Sequence, residues 1–128
     1  MKKVLVVEDD PHLRRLFRVL FEQAGLEVFE AEDGVSGIEA ALKEPPDCIV
    51  SDSMMPRMNG LEMLMKLKER LESPIPALFV TAAAQAPDEA QKKAAGIVEV
   101  VAKPFDFDRL IASVKRWAEG EKETFTTW

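Results

Sequence analysis

Apolar positions fall along this chain in two rhythms. Short apolar runs of the strand type occur at residues 4–7, 48–50, 77–80 and 97–102, with a more polar run at 26–31. Longer segments between them repeat every three or four residues. From Leu13 the apolar residues Leu16, Phe17, Leu20, Phe21 and Ala24 line one helix face, and Gly25 supplies a stop. Asp33 is placed to cap a helix carrying Val35, Ile38 and Leu42. Asn59 is placed to open another carrying Leu61, Leu64, the stem of Lys68, and Leu71. Residues 87–95 read as a shorter, more polar helix before Gly96. Asp106 caps a last helix with Phe107, Leu110, Ile111, Val114 and Trp117 on one stripe.

Strands alternating with helices imply repeated βαβ units and hence a parallel sheet covered on both faces. The first, third and fourth runs are almost continuously apolar and belong in the centre. The second carries Glu27 and Glu30 and the fifth carries Glu99, which places them at the edges. A doubly wound, five-stranded α/β sandwich of three layers with flavodoxin-like strand order 2-1-3-4-5 satisfies this with right-handed crossovers, and other orders with the same edges are compatible. One domain is expected over residues 1–119, followed by a tail at 120–128 whose Phe125 and Trp128 stand out on a charged, Thr-rich end.

Composition narrows the function classes. The 128 residues carry 17 Lys and Arg against 23 Asp and Glu, a net charge of −6, which argues against direct nucleic-acid binding. At 47% apolar the chain can bury a core without disulfides or a structural metal. A single cysteine, Cys48, leads into an apolar run and suits a small buried hydrophobe in a reducing compartment. The N-terminal apolar run is cut off by carboxylates too early for a signal peptide, and no run approaches the roughly 20 residues of a membrane span, so a soluble cytoplasmic protein is expected.

The polar residues that interrupt apolar strands all sit at C-terminal strand ends. Glu8, Asp9 and Asp10 close the first, Asp52 the third, Thr81 the fourth and Lys103 the fifth. An open parallel sheet binds ligands outside those ends, where the strand order reverses. Carboxylates gathered there repel each other by about 4 kcal/mol per pair at about 4 Å and an effective dielectric near 20. A hard divalent cation with oxygen ligands relieves that repulsion, and Mg²⁺ suits a shallow, open site. No His or Cys cluster competes for softer metals. Lys103 and Thr81 are suited to holding phosphoryl oxygens, with Asp52 as the nucleophile. Singly, each residue also has a bland reading: Asp9 and Asp10 as helix caps, Asp52 at a loop, Lys103 in solvent.

The segments VLVVEDD, IVSDSMMPRMNGLEML, ALFVTA and VVAKPFD resemble, in order and spacing and across almost the whole chain, the receiver domain of two-component response regulators. The resemblance implies that Asp52 is the phosphoacceptor. It makes Asp9 a direct Mg²⁺ ligand, Glu8 a ligand mostly through water, and Met54 a ligand through its backbone carbonyl, with Mn²⁺ able to substitute. Thr81 would be the switch hydroxyl and Lys103 its charge partner, with a cis bond before Pro104. The donor would be a sensor histidine kinase or histidine phosphotransfer protein, docking on His12, Leu13, Leu16, Pro104 and Phe105. An unknown downstream protein and a homodimer through the fourth helix, fifth strand and fifth helix are further expected partners.

Three positions depart from or vary within that pattern. Val100 stands where receivers usually carry Tyr or Phe, so a rotating aromatic is not available there. Met54 and Ala83 cannot position a water by hydrogen bonding, which predicts a fairly long-lived acyl phosphate. Met54, Met55, Met58, Met63 and Met65 read as adaptable packing. Arg14, Arg15 and Arg18 read as a solvated basic side of the first helix. The chain is thus expected to be a switch more than an enzyme, of the stand-alone, single-domain type. The alternatives are a phosphorylation-independent adaptor on the same scaffold and the receiver fragment of a longer DNA-binding regulator. A flavoprotein is disfavoured by the acidic residues after the first strand. An aspartyl hydrolase is disfavoured by Met54, where such enzymes usually carry an acid/base carboxylate.

Overall fold

The computed structural model describes residues 1–55, 57–120 and 126–127, with the side chains of Ala83, Thr126 and Thr127 outside that description. In chain order the elements are β1 (Lys3–Val7), α1 (Pro11–Gln23), β2 (Glu27–Ala31), α2 (Gly34–Lys43), β3 (Cys48–Asp52), α3 (Gly60–Arg70), β4 (Ala77–Thr81), a 3-10 turn (Ala83–Gln85), α4 (Glu89–Ala95), β5 (Ile97–Ala102), α5 (Phe107–Ala118) and β6 (Thr126–Thr127). The expected strands and helices are all present, with ends shifted by a residue or two.

Local chemistry sets the ends. Asp33, Asn59 and Asp106 cap α2, α3 and α5, each carboxylate or amide oxygen accepting first-turn backbone N–H groups. Asp10 caps α1, and Asp88 caps α4. Gly25 and Gly96 adopt positive φ of 90° and 72° just past α1 and α4, a backbone region open to glycine at little cost.

All strands run parallel in the order β2-β1-β3-β4-β5-β6. The five-strand order 2-1-3-4-5 is the expected one, but β5 is not outermost: Thr126 and Thr127 pair with Glu99 and Val100. Phe125 and Trp128 lie outside the described residues.

Strand alternation sends side chains to two cores. Val4, Val6, Val50, Val80 and Val101 pack with Phe17 and Phe21 of α1 and Leu110, Val114 and Trp117 of α5. Leu5, Val7, Ile49, Phe79 and Val100 pack with Ile38 of α2, Met63, Leu64 and Leu67 of α3 and Ala95 of α4. Two expectations need correction here. The buried face of α3 is Gly60, Met63, Leu64 and Leu67, whereas Leu61 and Leu71 are half-buried and Lys68 is exposed. The reason is Gly60: a Cβ there would lie 2.1 Å from the Asp52 carbonyl oxygen, so this residue faces the sheet and fixes the helix rotation. Glu99 does not mark a wet edge. A register shift inserts Val98 between the pairs Ala77–Ile97 and Leu78–Glu99, and Glu99 is buried against α5, where Ser113 Oγ (3.1 Å) and Trp117 Nε1 (2.5 Å) donate to it.

Candidate functional site

Parallel register gathers the predicted residues at one rim. Val7 pairs with Ser51 and Asp52 with Val80, so Glu8 and Asp9, just past β1, arrive beside the end of β3. The Lys103 N–H donates to the Thr81 carbonyl at 2.9 Å, which brings the end of β5 to the same place. One carboxylate oxygen from each of Glu8, Asp9 and Asp52 lies within 4.8 Å of the others. Lys103 Nζ approaches Asp52 Oδ1 at 3.4 Å, and the Ser53 N–H donates to the same oxygen at 2.7 Å. The Lys103–Pro104 peptide is cis.

Burial divides the three carboxylates. Asp9 is exposed, Asp52 is mostly buried and Glu8 is buried. Burial pushes the Glu8 carboxyl up to about 7; the Asp10 amide works against that shift at 3.0 Å, and the Asp52 charge adds to it. Asp10 itself is a cap for α1 and supplies no oxygen to the cluster, so the bland reading holds for it. The donors are all oxygen, they converge, and one is open to solvent. That set fits a hard divalent cation.

The loop after Asp52 is held from several sides. The Gly60 N–H donates to the Ser53 carbonyl at 3.0 Å, and Asn59 caps α3. Arg57, at φ 68°, reaches back to Asp33 Oδ2 through Nε (3.0 Å) and Nη2 (2.5 Å). The Asp33 carboxyl is held below the usual carboxylate range, chiefly by the Ser36 amide and also by Arg57. A Cβ on Gly34 would meet the Met58 carbonyl at 2.7 Å, so this glycine lets α2 sit against the loop. The methionines do not form one packing cluster: Met63 is fully buried, Met55 and Met58 are half-buried, and Met54 and Met65 are exposed.

Thr81 is buried, and its hydroxyl donates to Ser53 Oγ at 2.9 Å. Val100 is buried directly across from Phe79. Around the rim, His12 and Pro104 are exposed, Leu13 and Phe105 half-buried, and Leu16 exposed together with Val19. Phe105 stacks on Phe17 at 6.2 Å, which joins α1 to the loop after β5. Arg14 and Arg18 are not merely solvated: Arg14 Nη1 donates to the Glu8 carbonyl at 2.9 Å, and Arg18 Nη1 to Glu30 at 2.7 Å. Ser53 and Arg57 were not singled out from the sequence, and Arg14, read there as solvated, instead holds the Glu8 carbonyl. The available signal for Ser53 was a third consecutive polar residue after the apolar run 48–50. The Ala83 side chain lies outside the described residues.

The model of the response regulator receiver domain family matches residues 4–115. Sporulation initiation phosphotransferase F of Bacillus subtilis is 30% identical over 116 residues, covering 91% of this chain and 93% of that protein. The receiver domain of Francisella response regulator 1452 superposes with a TM-score of 0.85 at 27% identity, over 95% of this chain and 100% of that one. Response regulator TrrA of Thermotoga maritima, solved in complex with Mg²⁺ and BeF, does so with 0.80 at 28% identity, over 91% and 99%. This chain belongs to the response regulator receiver domain family, and its class of function is phosphorylation-dependent signalling. It spans 25% to 51% of the length of several curated relatives that it matches, transcriptional regulators among them.

Proposed function

We propose that Asp52 accepts a phosphoryl group from the phosphohistidine of a sensor kinase or phosphotransfer protein. The observation that carries this is the convergence of three carboxylates and the Lys103 ammonium at the end of β3. An Asp52 oxygen attacks phosphorus, the new O–P bond forms as the N–P bond breaks, and the imidazole nitrogen keeps the electron pair and takes up a proton. Lys103 lies close enough to balance charge on the transferred group. The carboxylates of Glu8, Asp9 and Asp52 and the Met54 carbonyl would hold Mg²⁺, or Mn²⁺ in its place. Such an ion neutralises phosphoryl oxygens.

The exposed Leu16 and His12 on α1, with Leu13, Pro104 and Phe105, form the surface we assign to the donor. Thr81 then turns to the phosphoryl group, and the face of α4, β5 and α5 changes its affinity for a downstream protein or a second copy. Val100 leaves this readout without a rotating aromatic, which keeps a phosphorylation-independent adaptor as a rival. Met54 favours slow hydrolysis of the acyl phosphate. The net charge of −6 argues against direct nucleic-acid contact by this chain. Among the described residues no helix is long and apolar enough to cross a membrane, and a buried free Cys48 suits the cytoplasm. A second reading, the receiver part of a longer DNA-binding regulator, is favoured by the partial coverage of transcriptional regulators.

Hydroxylamine trapping tests the acceptor. After incubation with a phosphohistidine donor, hydroxamate is expected on the peptide containing Asp52, and hydroxamate on another residue would refute the assignment.

A further inference from the structure

We propose that Ser53 is a latch on Thr81, a positioning residue that sets how readily the phosphoryl group recruits the switch hydroxyl. The Thr81 hydroxyl has one proton, and it goes to Ser53 Oγ at 2.9 Å, with the Ala82 carbonyl at 3.3 Å as its other acceptor. Ser53 is not free to follow Thr81. Its N–H is shared between Asp52 Oδ1 (2.7 Å) and the Val80 carbonyl (3.2 Å), and its own carbonyl accepts from the Gly60 N–H at 3.0 Å. Both side chains are buried, so water does not readily replace either partner.

The inference rests on the reading of Asp52 as phosphoacceptor and Thr81 as its responding hydroxyl. If Thr81 donates to a phosphoryl oxygen, it must first withdraw its proton from Ser53. The exchange trades a neutral acceptor for a charged one, which is the stronger bond, so it proceeds once the phosphoryl group is present. The bond to Ser53 holds the unphosphorylated state closed and raises the threshold of the switch. The Ser53 side chain is uncharged, and its function depends on Thr81, brought beside it from the neighbouring strand.

A titration with beryllofluoride in the presence of Mg²⁺, read by the Asp52 and Ala82 amide resonances, tests this. Ser53→Ala is expected to reach half-saturation at about a fivefold lower concentration than wild type, the ratio that corresponds to one net hydrogen bond. Ser53→Cys, which keeps the side chain's shape with a weaker acceptor, is expected between the two. In a Thr81→Ala background the Ser53→Ala effect is expected to vanish. Unchanged or weaker binding by Ser53→Ala, or the same gain without Thr81, overturns the latch while leaving the phosphoacceptor reading intact. Failure of wild type to bind the probe overturns both.

Discussion

At the residue scale, what an acidic rim does depends on how each carboxylate is housed. Glu8 is buried behind Asp9 and beside Asp52, and its carboxyl is raised from 4.5 to about 7. In the metal-free folded protein it therefore holds a proton, between those two values, that the unfolded chain has lost. Stability of the metal-free form should fall as pH rises from about 4.5 to about 7 and level off above. A divalent cation competes with that proton, so Mg²⁺ affinity should strengthen with pH up to about 7, by at most about tenfold per unit, and then flatten. Calorimetric titration on either side of neutrality checks this, and Glu8→Gln should weaken binding and flatten the profile. A pH-independent affinity in wild type would contradict it. Asp52, Thr81 and Lys103 were legible as polar residues ending apolar strands. Ser53 and Arg57 were not, since what they bind lies 28 and 24 residues away in sequence.

At the element scale, periodicity located α3 but misjudged its rotation. The stripe through Leu61, Leu64 and Lys68 is a reasonable helix face, but close approach of Gly60 to Asp52 turns Met63 and Leu67 inward instead. The same loop is tied to α2 by Arg57 and Asp33, so the site's geometry depends on helix ends as much as on strand ends. Glu99 shows a second limit of pattern reading. An acidic residue in a strand normally signals an edge, yet the Val98 insertion turns this one into the α5 core. There it receives hydrogen bonds from Ser113 and Trp117 and lies 3.6 Å from Arg116. Glu99→Ala should cost about 2–4 kcal/mol in urea unfolding, because two buried donors lose their acceptor, and Glu99→Gln should cost less. Equal, small losses for both would show that the network contributes little.

At the scale of the whole molecule, the sheet order followed from which runs were wholly apolar, and with it the position of the site at the reversal between β1 and β3. The sixth strand was hidden because two threonines on a polar end carry no apolar run. Its pairing with Glu99 and Val100 covers the outer side of β5 on the face proposed for partner contact. Deleting residues 121–128 should uncover that edge and increase concentration-dependent self-association in sedimentation velocity. An unchanged sedimentation profile would mean that β6 does not shield the edge.

In the mechanism proposed, Asp52 takes a phosphoryl group with the help of its acidic neighbours. Intact-mass measurement after incubation with acetyl phosphate tests this most directly, run with Mg²⁺ and with chelator on wild type and Asp52→Asn. One added phosphoryl group is expected on wild type with Mg²⁺, and none with chelator or on the variant. Wild type left unmodified, or Asp52→Asn modified to the same extent, would contradict the account.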